Sequence, residues 1–374
     1  MSNKKVLIIS AINFFEGGPL SIMRDCLSFL NNSQYIENFK FVALVHKKDL
    51  FIQDQLENIE FIEFPKSRIS YFYRLYYEYF YFKKLAKIYK PFFWLSLHDT
   101  TPNIGGIPQA VYCHNPSPFN KLNWNDIYIQ PTQFFFRLFY KYLYQINIRR
   151  NKYVIVQQLW IKERFETMFG LNSSKIIIAA PQIQTIPIDY LKIKVERKAG
   201  QKVFFFPTFP RPFKNIEVIC DAVKLVLDRG HKSFKVIITI DGSENKYSKS
   251  IFEKYKHIDN IDFIGLIKRE AVYTQYAQSD CLIFPSKLET WGLPISEFKQ
   301  FHKTILVSDL PYAKETVNEY EFANFFDPNN PFELCELIIN VLGNNLVYYK
   351  TKSINYEQPY ANGWGELFTI LLHN

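Results

Sequence analysis

Short apolar runs alternate with longer stretches of helical period along the whole chain. In the first half, Val6–Ile12, Phe41–His46, Ile59–Phe64, Phe92–Leu97, Gln109–Cys113, Tyr153–Gln157 and Ile176–Ala180 read as strands. In the second half, Val203–Phe206, Lys235–Ile240, Ile261–Gly265, Asp280–Phe284 and Ile305–Ser308 do the same. Strands that are apolar almost without interruption are buried on both faces by the helices between them, so parallel sheets are expected. Two such sets predict two Rossmann-like domains of the α/β class. The linker is expected in Pro181–Gly200, where Pro187 and scattered charges break any period, and a last helix from about Tyr356 to Leu372. No internal repeat or low-complexity tail interrupts this order.

In such sheets ligands bind at the carboxyl ends of the strands, so the loops there carry the chemistry. The stretch Phe284 to Glu297, FPSKLETWGLPISE, follows the apolar run ending at Phe284 and runs through a loop and a glycine turn into a helix start. Glu289 is then set beside a ligand and Glu297 in the first helical turn, with the backbone amides of Thr290, Trp291, Gly292 and Leu293 as a nest between them. A carboxylate at Glu289 accepts hydrogen bonds from sugar hydroxyls, while one at Glu297 can hold a ribose and also suits the positive end of the helix dipole. The plainer reading makes Glu297 a helix cap and Glu289 a solvated loop residue.

Three further loops have the same placement. In Asn13–Leu20, NFFEGGPL, Gly17 and Gly18 allow close backbone approach and the helix from near Pro19 offers free N–H groups to an anion, or the pair forms only a tight turn. His114 opens the proline-rich loop HNPSPFN, and His98 and Asp99 end the strand before it; contact with a sugar and a structural role both fit. Arg211 and Lys214 lie in a proline-bounded loop before a helix that starts near Asn215, where they offer fixed positive charge to a diphosphate.

Taken in order, these pieces resemble the retaining glycosyltransferases of family 4, whose GT-B fold sets two Rossmann-like domains facing each other across a cleft. The glutamate pair enclosing Gly292, Leu293 and Pro294 carries that resemblance, with Asp280 and Pro285, Ser286 upstream and KTILVSDLPYAKE, Lys303 to Glu315, downstream. His302 or Lys303 stands where the last phrase usually has glycine. The run FPTFPRPFKNIEVICDAVKLV looks like the donor-phosphate segment with Lys214 in the lysine position; Phe209 occupies the usual arginine position, and Arg211 is the nearest substitute. The resemblance is strong from about Val203 to Pro328.

It implies an acceptor domain over residues 1–185, onto which a C-terminal helix at 356–374 crosses back, and a nucleotide-sugar domain over 186–355. It implies catalytic roles for Glu289, Lys214, Arg211 and His114, and donor contacts for Gly17, Gly18, Gly265, Leu266, Thr290, Trp291, Gly292, Leu293 and Glu297. In this assignment Gly265 and Leu266 receive the base. His98 and Asp99 are weaker acceptor candidates. The anomeric configuration would be retained. No Asp-x-Asp pair is present to hold a metal on the diphosphate, so the cations are expected to replace it, with no cofactor beyond the nucleoside-diphosphate sugar as substrate.

Length and composition agree with two cores. A chain of 374 residues is too long for one. Cys26, Cys113, Cys220, Cys281 and Cys335 are too scattered for a zinc site or disulfide framework, which points to a reducing cytoplasm. Val6–Ile12 is too short to span a membrane. The net charge of +9 comes with two aromatic stripes beside basic residues. Phe72, Leu75, Tyr76, Tyr79, Phe82, Ala86 and Tyr89 lie among Arg74, Lys83, Lys84, Lys87 and Lys90, and Phe135, Leu138, Phe139, Tyr142 and Ile146 end in Arg149 and Arg150. A buried core and a surface resting on anionic lipid both fit. No nucleic-acid motif appears, so nucleic acid is not expected as a partner.

The expected protein is a cytoplasmic enzyme, peripheral on the inner face of the membrane, that adds a sugar to a lipid-linked glycan in surface polysaccharide assembly. The alternatives are a nucleotide-sugar epimerase of the same architecture and a sugar-nucleotide-binding protein without turnover.

Overall fold

The computed structural model describes residues 4–119, 139–195, 200–351 and 353–373. The described residues up to Gln182, with those from Tyr356 on, form one compact unit, and Ile183–Asn355 form a second. The strands are β1 (Lys5–Ala11), β2 (Phe39–Val45), β3 (Ile59–Glu63), β4 (Phe93–Ser96), β5 (Gln109–Cys113), β6 (Tyr153–Val156), β7 (Ile176–Ala180), β8 (Lys202–Phe206), β9 (Phe234–Ile238), β10 (Ile261–Phe263), β11 (Cys281–Phe284), β12 (Thr304–Ser308), β13 (Ala323–Phe326) and β14 (Tyr360–Asn362). The first unit carries the order β14-β7-β6-β5-β4-β1-β2-β3 and the second β10-β9-β8-β11-β12-β13, every described pair being parallel.

The unbroken apolar character of the strands has its cause in these sheets. On β1, Leu7, Ile9 and Ala11 enter one core with Leu367 and Phe368, while Ile8 enters another with Phe82 and Trp94. On β2, Phe41, Ala43 and Val45 share the first core and Val42 and Leu44 the second. A strand with helices on both faces has no side left for polar residues.

Two short strands escape the hydrophobic pattern. Tyr360–Asn362 pairs with β7, and the helix expected from about Tyr356 begins only at Trp364 and runs to His373. Its Leu367, Phe368 and Leu371 are buried in the core of the first unit. Ala323–Phe326 was also unmarked, because three or four residues are too few to display a period. His302, one of the two residues read at an expected glycine position, takes a left-handed φ of 54°. The neighbouring Lys303 donates from Nζ to the carbonyls of Tyr276 (3.2 Å), Ala277 (2.5 Å) and Ser279 (2.8 Å), capping a helix end with a cation.

The first aromatic stripe divides. One turn of π-helix, Tyr77–Tyr81, joins the helices Tyr71–Tyr76 and Phe82–Tyr89. Arg74, Glu78, Phe82, Leu85 and Ala86 face inward, whereas Phe72 is 84% and Phe80 71% exposed, with Tyr71, Leu75 and Tyr76 beside them. The amphipathy of the amino-terminal half is thus inverted, with a charged pair inside and aromatic rings outside. In the second stripe, Phe139, Tyr142 and Ile146 are exposed, and Phe135 and Leu138 lie outside the described residues. Among the described residues no helix is long and apolar enough to cross a membrane.

Candidate functional site

In the second unit the candidate residues gather on loops at the carboxyl ends of neighbouring strands. Lys214 closes the 3-10 turn Pro212–Lys214 after β8, and Asn215 adopts a left-handed φ of 57° before the helix Ile216–Asp228. Asparagine tolerates that region better than most residues. Its buried side chain donates to Pro285 O (3.2 Å) and Pro328 O (2.7 Å). The loop after β11 is anchored to the same turn, since Lys287 N donates to Phe213 O at 2.7 Å. Tyr312 OH donates to Ser286 O (2.7 Å) and Thr316 Oγ1 to Trp291 O.

These bonds bring Lys214 Nζ to 2.5 Å from Glu289 Oε1, with side chains only 19% and 15% exposed. The ammonium also lies 5.6 Å from the centre of the Phe284 ring. A cation and an anion are therefore fixed side by side at the ends of β8 and β11. Arg211 begins the same turn, half-buried beside Phe209 at 5.1 Å, and burial draws its pKa down. Among the described residues it has no carboxylate at ion-pair distance, so its charge is uncommitted in a way that of Lys214 is not. The described residues also contain no group of three His, Cys, Asp or Glu side chains arranged to hold a metal.

Gly292 has φ 85°, and a Cβ there would come within 3.1 Å of Ile295 Cδ1 and 3.4 Å of Phe284 Cε1, so the turn requires glycine. The helix it starts is Leu293–Lys299. Glu297 is the fifth residue of that helix, not part of its first turn, which corrects the expected dipole contact. Its two oxygens instead accept from Arg269 Nη2 and Tyr276 OH, each at 3.0 Å. Burial raises the pKa of Glu297, and Arg269 and Tyr276 act against that rise. Thr290 and Trp291 complete the turn, with Trp291 Nε1 donating to Ser296 Oγ at 2.9 Å. Gly265 also has a positive φ, 72°, and a Cβ on it would meet Asp241 Oδ2 at 2.9 Å. The neighbouring Leu266 is exposed.

In the first unit, His98, Asp99 and His114 gather around the loop after β1, with the ring of Phe14 edge-on to both histidines. His98 is fully buried, with Nδ1 2.8 Å from Ser10 O and Nε2 3.0 Å from Glu78 Oε1. Arg74 Nε donates to the same carboxylate at 2.8 Å. Burial pushes the Glu78 carboxyl up, but Arg74 and His98 outweigh it and bring its pKa down to about 2. The imidazole of His98, the other weaker acceptor candidate, is thus sealed inside the first unit beside the Arg74–Glu78 pair.

Asp99 is likewise occupied. Its carboxylate accepts from His114 N (2.8 Å), Asn115 N (3.2 Å), Tyr144 OH (2.9 Å) and Tyr140 OH (2.9 Å), and the residue is buried. These bonds tie Asp99, the weaker acceptor candidate, to the loop that carries His114. His114 stays partly exposed. Its Nε2 donates to Leu97 O at 3.0 Å, since a carbonyl oxygen can only accept. Gly17 has φ 65°, and no atom lies within 4 Å of a Cβ built on it or on Gly18. The helix there begins at Gly17, two residues earlier than Pro19 suggests.

Several supporting residues gave no sequence signal. Tyr276, Tyr312 and Thr316 sit in helices whose apolar pattern hides a polar contact, and Arg269 looks like any exposed helical charge. Asn215 alone was marked, by its place between Lys214 and a helix.

Residues 189–358 match the family described as glycosyl transferases group 1. The O-antigen chain mannosyltransferase RfbU of Salmonella typhimurium is 20% identical over 225 residues, 59% of this chain and 57% of that protein, so the alignment spans less than two thirds of the relative. Among solved structures, a glycosyltransferase from Rickettsia africae superposes with a TM-score of 0.64 at 16% identity, covering 91% of this chain and 89% of that one. Anabaena Alr3699/HepE in complex with UDP-glucose gives 0.63 at 14% identity, covering 91% and 90%. WaaG, a glycosyltransferase involved in lipopolysaccharide biosynthesis, gives 0.62 at 13%, covering 90% of each chain.

Proposed function

We propose that this chain, whose residues 189–358 belong to the glycosyl transferases group 1 and whose two units have the GT-B fold, moves a sugar from a nucleoside-diphosphate donor to a hydroxyl of a lipid-linked glycan with retention of configuration. The observation that carries this reading is the Lys214–Glu289 pair, fixed between two loops that are themselves bonded to each other. Lys214 and Arg211 offset charge on the departing diphosphate, and Glu289 grips the sugar as positive charge develops on its anomeric carbon. The acceptor hydroxyl attacks from the face that the phosphate leaves, and its proton passes to a phosphate oxygen. Glu297 takes the ribose, and Gly265 and Leu266 the base. The first unit is left with the acceptor.

Transfer of radiolabel from a nucleotide sugar into lipid extract is the test. Interconversion of free nucleotide sugars without transfer marks an epimerase, and binding without either reaction marks a protein without turnover. A thermal-shift screen over nucleoside diphosphates and their sugars would identify the donor, since a ligand at a hundred times its Kd stabilises by about 2.7 kcal/mol.

We further propose that the exposed rings of Phe72, Tyr76 and Phe80, beside exposed Lys83, Lys84, Lys87 and Lys90, rest on anionic lipid at the cytoplasmic face. Each lysine near the surface contributes about 1 kcal/mol, a term that salt weakens. Replacing the four lysines by glutamine, or Phe72 and Phe80 by serine, should reduce sedimentation with phosphatidylserine vesicles and leave donor binding intact. Equal sedimentation of variant and parent at low salt would refute the surface.

A further inference from the structure

We infer that Arg269 is a positioning residue for the donor, holding the Glu297 carboxylate ionised and oriented toward a ribose diol. The inference rests on the reading of Glu297 as the ribose contact. Arg269 is the first residue of the helix Arg269–Gln278, where the positive end of the dipole disfavours a cation. Its contacts there include Nη2 to Glu297 Oε1 at 3.0 Å and Nε to Tyr273 OH at 2.5 Å. Its guanidinium lies 5.6 Å from the centre of the Tyr273 ring, which Tyr190 meets edge-on at 5.5 Å between ring centres.

Glu297 itself is 13% exposed at the side chain, while Arg269 is 43% exposed. The acid is thus the sheltered partner and the arginine the reachable one. Tyr276 OH holds the second oxygen at 3.0 Å, from a fully buried position. Each carboxylate oxygen therefore has one protein donor and keeps lone-pair capacity for another, which is what two adjacent ribose hydroxyls require. The groups that act on Glu297 are Arg269 and Tyr276, with Tyr273 behind the arginine and Glu270 the other acid near Tyr273.

The sign of the pH effect follows from this arrangement. Burial favours the neutral acid, and Arg269 and Tyr276 favour the carboxylate. Without Arg269, only Tyr276 opposes burial, so protonation occurs at a higher pH and the charged form is lost earlier as pH falls.

The experiment measures donor KM and kcat between about pH 6 and pH 8 for the full chain and its variants. Arg269→Ala should raise donor KM about tenfold with kcat little changed, and the rise should steepen toward pH 6 more than in the parent enzyme. Arg269→Lys should restore part of the affinity and flatten the profile, because it returns the charge without the planar fork. Glu297→Gln should raise KM with no pH dependence of its own, and adding Arg269→Ala to it should do little more. If Glu297→Gln leaves KM unchanged, the ribose reading fails and the role of Arg269 falls with it. If Glu297→Gln raises KM but Arg269→Ala gives a rise of the same size at every pH, the ribose reading stands and the positioning role of Arg269 is overturned.

Discussion

Glu289→Gln should lower turnover about 10²-fold or more while the protein stays folded and still binds nucleotide. The exchange keeps the shape of the side chain and its capacity to accept from Lys214, and it removes only the negative charge. That charge lies 2.5 Å from Lys214 Nζ, on a loop that Tyr312, Thr316 and Lys287 hold in place. The backbone therefore has little reason to move when the charge goes. A loss confined to kcat identifies an interaction made chiefly in the transition state, whereas a rise in KM alone would place Glu289 in ground-state binding. A soluble, fully active variant would remove the central residue from the proposed mechanism. Circular dichroism and melting temperature, measured on the same preparation, separate either result from unfolding.

Lys214→Ala should abolish most activity, by about 10²- to 10³-fold, because the cation that offsets the leaving diphosphate is gone. It should also cost stability, unlike Glu289→Gln. Glu289 is 15% exposed at its side chain, so removing Lys214 leaves a sheltered carboxylate without its cation, at a cost of about 1–3 kcal/mol. Combining Lys214→Ala with Glu289→Gln should recover part of that stability and none of the activity. The parent enzyme is expected to keep its activity in a chelator, with Lys214 and Arg211 supplying the positive charge. Activity lost in chelator and restored by magnesium or manganese would overturn this assignment and make the two basic residues helpers of an ion.

The chain alone determined that two parallel α/β sheets form and where most of their strands run, because a strand covered on both faces must be apolar at every position and that demand is local. β1 shows it, with Leu7 and Ile9 facing one core and Ile8 the other. It also marked the loops after β8 and β11 as the place for chemistry, through glycine and proline turns at the carboxyl ends of strands. Tertiary structure decided what each charged group does there. Glu297 was legible as an acid near a helix start, but its partners Arg269 and Tyr276 come from a helix 28 and 21 residues earlier that no spacing rule connects to it. Asp99 and His98 stood at a strand end like site residues, yet buried tyrosines and a buried Arg74–Glu78 pair occupy them. The helical period of Tyr71–Tyr89 was visible, but which face turned inward was not, since one π turn rotates the register and a buried ion pair takes the side that apolar residues would ordinarily fill. Local sequence specifies backbone and burial tendency; the partner of a charge depends on which distant segment folding brings beside it.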